Sequence, residues 1–106
     1  MILTDQSKPV AYTTEEARDM YLSHMRMLVD YWSKESYGKT ERERMEGLVF
    51  SILVMLDGGS SSLPAVDISL SPHESDKEFL TSIGEKHFED GMIINDCQLH
   101  DLWYKK

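Results

Sequence analysis

The sequence predicts a mainly α protein, a small helical bundle around a buried central helix at about residues 40–57. Three observations lead there. The block MEGLVFSILVML, from Met45 to Leu56, is so densely apolar that it must be buried on nearly all sides. Threonines at 13, 14 and 40 stand before acidic residues in the pattern that opens a helix. Between those signals, apolar residues recur three and four positions apart.

Residues 1–12 show no period, and Pro9 argues against helix, so they read as an extended arm anchored if Ile2, Leu3 and Tyr12 reach the core. A first helix begins at Thr13-Thr14-Glu15-Glu16, where both acids suit the positive end of the dipole. Ala17, Tyr21, Met25, Leu28 and Trp32 form its buried face, Leu22 and Val29 widen it, and Gly38 stops it shortly after Ser36. Thr40 and Glu43 open the central helix. There Arg42 and Glu46, one turn apart, suit a surface bridge worth about 0.3 kcal/mol. Being apolar on every face further on, that helix is either wrapped by neighbours or paired with its own copy. A buried strand from Gly47 is the rival, but the run is longer than strands usually are, and the cap upstream favours helix.

Asp57-Gly58-Gly59-Ser60-Ser61-Ser62 is loop chemistry, and Pro64 forbids an early return to helix. From about 63 to 70 the chain partly alternates, Val66, Ile68 and Leu70 facing one way and Asp67 and Ser69 the other. Such an extended segment needs a partner, either residues 92–94 or residues 1–4. Ser71-Pro72-His73-Glu74 predicts a third helix with a serine cap, burying Phe79, Leu80 and Ile83. Gly84 weakens its middle or ends it early, and Gly91 closes the segment. Asn95 or Asp96 then caps a last short helix that turns Leu99, Leu102 and Trp103 inward, with Lys105 and Lys106 at its negative end.

At 106 residues the chain suits one domain. Nineteen acidic against eleven basic residues give a formal net charge of -8, which disfavours direct nucleic-acid binding and suits either solubility or a basic protein partner. The lone Cys97 excludes an internal disulfide and fits a reducing compartment. The apolar stretch at the N-terminus is short for a signal peptide, and no run is long enough for a membrane span, so a cytoplasmic protein is expected.

Catalytic chemistry finds little footing. His73 and Asp76 lie about one turn apart, His87 follows, and His100 has Asp67, Asp96 and Asp101 as acids that a small fold could bring near. These are weak metal candidates, since no HExxH, CxxC or calcium-loop spacing accompanies them. Ser51 lacks a nucleophile elbow. Cys97 and His100 are three residues apart, yet the neighbouring Asp96 disfavours a thiolate. No phosphate loop and no basic stripe with interleaved aromatics is present. No catalytic residue and no cofactor is therefore assigned. The residues best suited to a protein partner are the aromatics Tyr31, Trp32, Tyr37, Trp103 and Tyr104, and the acids Glu41, Glu43, Glu46, Glu74, Asp76 and Glu78.

The strings ERERMEGLVFSILVMLDG, LPAVDISLSPHESDKEF, GEKHF and INDCQLHDLWYK, within residues 41–104, resemble a group of small bacterial and phage-associated proteins of undefined function. The resemblance leaves residues 1–38 outside. It implies a mobile-element or phage origin and no activity, cofactor or site residue. The expected function is a small acidic, non-catalytic protein-binding protein, acting as an inhibitor or modulator of a host or defence protein. A basic nucleic-acid-binding enzyme is one such partner. The alternatives are a small metal-dependent enzyme using the His and Asp residues above, and a structural subunit or homodimer.

Overall fold

The computed structural model describes residues 9–34 and 39–105. Within them the protein is mainly α, with four helices and no sheet: α1 (Thr14–Lys34), α2 (Glu41–Leu56), α3 (Asp76–Ser82) and α4 (Leu99–Leu102). Ile2, Leu3, Ser36, Tyr37, Gly38 and Lys106, all assigned roles from the sequence, lie outside the described residues. The chain divides into two compact units, Met1–Leu48 and Val49–Lys106, and the division falls inside α2.

In the first unit both capping boxes form. The Thr13 N–H donates to Glu16 Oε1 at 2.8 Å, and the Glu16 N–H donates to Thr13 Oγ1 at 3.1 Å. Thr40 and Glu43 repeat the exchange at 2.8 and 3.1 Å. Each reciprocal pair satisfies two N–H groups that a helix start leaves without partners. Thr40 also holds the Glu43 carboxyl below its ordinary value, its main-chain N–H contributing most and its hydroxyl next.

The predicted stripe of α1 is visible as half-burial of Ala17, Tyr21, Met25, Leu28 and Trp32, joined by Met20 and His24. No residue of α1 is fully buried. Leu22 and Val29, expected to widen the buried face, are 40% and 50% exposed, and Tyr12 also faces solvent. On α2 the Trp32 indole packs so closely over Gly47 that a Cβ there would come within 2.5 Å of the ring. Glycine is thus tolerated in mid-helix, at about 1 kcal/mol in propensity, because it admits the indole. Arg44 Nη1 donates to the Ser33 carbonyl near the end of α1 at 3.3 Å, and Arg42 and Glu46 form the expected bridge at 3.5 Å.

The second unit holds the buried apolar side chains, Met55 and Leu63. Phe50 to Val54 are half-buried all round the helix, whereas Val49, and Met45 of the first unit, are exposed, so the enclosure of α2 is less complete than its composition predicts. Its end is a Schellman turn. Gly58 takes φ +86°, its N–H donates to the Met55 carbonyl at 3.1 Å, and the Gly59 N–H reaches back to Val54 at 2.8 Å.

The extended segment pairs as predicted with 92–94, through an antiparallel bridge between Ser69 and Ile93. Val66, Ile68 and Leu70 are half-buried while Asp67 and Ser69 are exposed, which is the expected alternation. Leu70 and Ile68 exchange main-chain bonds with Met92, Gly91 and Ile94 at 2.8–3.0 Å. Asn95 then extends the ladder with its side chain. Its Oδ1 accepts from the Ile68 N–H at 2.8 Å and its Nδ2 donates to the Val66 carbonyl at 2.6 Å. Asn95 therefore serves the bridge and caps no helix.

Three further expectations fail in this unit. The third helix starts at Asp76, not after Ser71, because His73 Nδ1 accepts the Ser75 N–H at 3.2 Å and residues 73–76 close a turn of their own. Of the two roles offered for Gly84 it takes the early stop, at a second Schellman turn with φ +75° and the Glu85 N–H on the Leu80 carbonyl. Seven residues make barely two turns, and of the face expected to be buried only Leu80 is half-covered; Phe79 and Ile83 are 62% and 54% exposed. Leu102, at the end of α4, and Trp103 after it are likewise exposed.

Candidate functional site

Two arrangements in the second unit place polar and aromatic groups together. The first joins the end of α2 to α4. Asp57 follows the last residue of α2, and its side chain is 1% exposed. Oδ2 accepts from the His100 main-chain N–H at 2.8 Å and lies 2.7 Å from His100 Nδ1. The Asp57 carbonyl accepts from Gln98 Nε2 at 3.5 Å. This carboxylate does for α4 what Gln98, the residue at its cap position, does not do with its own side chain. Burial pushes the Asp57 carboxyl up, but the bonds from the His100 N–H, the His100 ring and the Leu99 N–H outweigh it and hold the group below its ordinary value.

The other ring nitrogen of His100, Nε2, faces Asp101 Oδ1 at 3.4 Å. An imidazole oriented by a buried carboxylate is half of a proton-transfer device, yet its free end here meets a second carboxylate and not a nucleophile. Phe50 stands edge-on to His100 with ring centroids 5.7 Å apart, and Tyr104 lies against Phe50 at 5.6 Å. Tyr104 and Trp103, both singled out in the sequence as partner residues, remain 58% and 38% exposed on this support.

The second arrangement is a surface groove of about 610 Å³ lined by Pro72, His73, Glu74, Lys77, Phe88, Glu89 and Asp90. A smaller hollow beside it shares Pro72 and Phe88 and adds Leu70 and Ser71. Phe88 is 65% exposed between them. Three carboxylates and the Lys77 ammonium thus line the groove together with the apolar Pro72 and Phe88. Glu89, Asp90 and Phe88 escaped the sequence reading, which left open whether Gly84 weakens the third helix or ends it; the early end puts all three outside the helix.

The remaining candidates are dispersed. Asp76 and Glu78 are exposed on α3, and Glu41 and Glu43 on the first turn of α2, while Glu46 is tied to Arg42. Tyr31 stacks edge-on with Trp32 at 5.2 Å and is 55% exposed. The weak metal candidates do not gather: His73 engages Ser75, and His87 Nδ1 lies 3.4 Å from the Phe88 carbonyl. His100 is held by Asp57. Among the described residues no group of three or more His, Cys, Asp or Glu could hold a metal ion. Cys97 is exposed and precedes α4, so it does not share a helix with His100. No helix among the described residues is long and apolar enough to cross a membrane. Comparison with protein-family models, curated proteins and solved structures finds no match.

Proposed function

We propose that the protein is a non-catalytic, acidic protein-binding protein whose second unit takes a basic segment of its partner. The groove around Phe88 carries this reading: an exposed phenyl ring and Pro72 offer an apolar anchor point, and Glu74, Glu89 and Asp90 outnumber the one lining cation, Lys77, so the groove selects positive charge. Charge distribution supports it. Residues 49–106 hold ten acidic against four basic side chains, a net of -6, whereas residues 1–48 hold nine against seven, a net of -2. Asp57 apart, every acid of the second unit is exposed. A partner with a cationic surface, such as an enzyme acting on nucleic acid, is steered to that unit. Covering such a surface would inhibit or modulate a host or defence protein, a role that suits the phage-associated resemblance of residues 41–104.

Titration calorimetry with Lys/Arg-rich peptides, each carrying one large apolar residue, tests this. Binding should weaken steeply with salt and vanish in a variant combining Glu74→Lys, Glu89→Lys and Asp90→Lys. Affinity indifferent to both changes would remove the proposal.

A further inference from the structure

Two local structures compete for the start of α3. Ser71-Pro72-His73-Glu74 holds every residue of a capped helix start, with Ser71 before a proline and so biased to the extended backbone that a cap requires. The helix nevertheless begins at Asp76 without a side-chain cap, and Ser75 before it already has helical angles, φ -84° and ψ -11°. A histidine contact stands in place of the missing turn. The Ser75 N–H donates to His73 Nδ1 at 3.2 Å, Ser75 Oγ lies 2.8 Å from the same nitrogen, and the Asp76 N–H donates to the His73 carbonyl at 3.0 Å. In a helix begun at Ser71 the Ser75 N–H bonds instead to the Ser71 carbonyl, four residues back. One main-chain donor therefore decides between the two forms.

We propose that His73 is a proton-operated switch of this start: uncharged it holds the turn, and charged it lets α3 begin at Ser71. The ring nitrogen that accepts the Ser75 N–H must be bare, so the neutral ring carries its proton on Nε2. A second proton goes to Nδ1 and leaves an imidazolium with two donors and no acceptor. The Ser75 N–H then finds its acceptor in the Ser71 carbonyl, while Ser71 and Glu74 exchange the two bonds of a capping box. His73 is exposed, so the proton arrives from solvent. The charged groups that share its groove are Glu74 and Lys77 from its own segment and Glu89 and Asp90 from the opposite one, and His87 precedes Phe88 there. The three carboxylates offset the unfavourable meeting of a cation with the positive end of the longer helix. Because His73 and Glu74 line the groove about Phe88, the switch also reshapes that groove; this consequence rests on the function proposed above, whereas the switch itself does not.

Nuclear magnetic resonance of the full chain through an acid titration, with no peptide present, tests the switch apart from the calorimetry. As the His73 ring takes up its proton, the main-chain carbon shifts of residues 72–75 should move toward helix with the same midpoint, the helix-to-turn ratio rising roughly fivefold, the worth of one hydrogen bond. His73→Ala, which has no acceptor, should show the helical shifts at every pH. His73→Asn sets an uncharged amide oxygen where Nδ1 stood and should hold the turn at every pH. Ser71→Ala should lose most of the helical gain, and His87→Gln should keep it. Residues 72–75 that retain their turn shifts while the His73 ring titrates overturn the proposal. So does a transition that survives undiminished in His73→Asn or in Ser71→Ala.

Discussion

The two units of this chain are built on different principles. The described residues up to Leu48 are shaped mainly by signals a few positions apart, two reciprocal caps and helical periodicity, with Gly47 admitting the Trp32 indole between the helices. Beyond Val49 the helices are short, and the chain is held by polar ties between residues 27, 29 and 43 positions apart, made by Asn95 and Asp57. Among the described residues the buried apolar side chains, Met55 and Leu63, also sit there. Regular helix can form from local preference, but an irregular chain must satisfy its backbone groups from elsewhere, so single side chains acquire long reach. Substitutions should therefore weigh unequally on the two units.

The largest effect is expected at Met55, which is 1% exposed. Met55→Ala removes a fully enclosed side chain and should cost about 2–5 kcal/mol in denaturant unfolding. Val29→Ala, half-exposed in the first unit, should cost under about 1 kcal/mol. Equal losses at the two sites would erase the contrast between the units.

Asp57→Asn comes next. The amide keeps an acceptor for the His100 N–H but loses the charge that strengthens the bonds, so about 1.5–3 kcal/mol should go, with α4 released. The sign of the pH dependence follows from the lowered carboxyl. A group whose folded value lies below its unfolded one contributes stability that is complete above the unfolded value, near pH 4, and is lost as pH falls through the folded value. Thermal unfolding between pH 6 and pH 2 should show that loss in the wild type and less of it in Asp57→Asn. A variant as acid-sensitive as the wild type would mean that other carboxylates govern acid unfolding.

Asn95→Ala tests the same long-range logic on a smaller scale. It leaves the Ile68 N–H and the Val66 carbonyl without their partner and should cost about 1–2 kcal/mol. Hydrogen exchange at Ile68 should quicken, while exchange in α1 should not change.

How much was legible in the sequence follows the same division. The caps at Thr13 and Thr40, the half-buried stripe of α1, the glycine stop of α2 and the pairing of 66–70 with 92–94 were all readable, because each rests on spacing along the chain. Asp57 looked like a loop residue and Asn95 like a helix cap, since nothing local marks a carboxylate that reaches His100 or an amide that completes a ladder. The failed start at Ser71 has the same origin. Its capping pattern was genuine in residue type, but the His73 ring accepts the Ser75 N–H and a turn forms where the first helical turn was expected. The candidate groove was hidden for a related reason, as Phe88 and Glu74 meet only because the chain leaves helix at Gly84.

The smallest of these effects belongs to the first unit. Thr13→Ala deletes the hydroxyl that accepts the Glu16 N–H and should cost about 1 kcal/mol, the usual loss at such a cap. Because the bond closes over three residues and α1 has no fully buried side chain to transmit strain, the damage should stay local. Exchange should quicken at Glu15, Glu16 and Ala17, whereas protection at Ile68 and at His100 should be that of the wild type. Loss of protection at those distant amides would show that the caps of the first unit and the polar ties of the second act as one cooperative structure, and would dissolve the distinction between them.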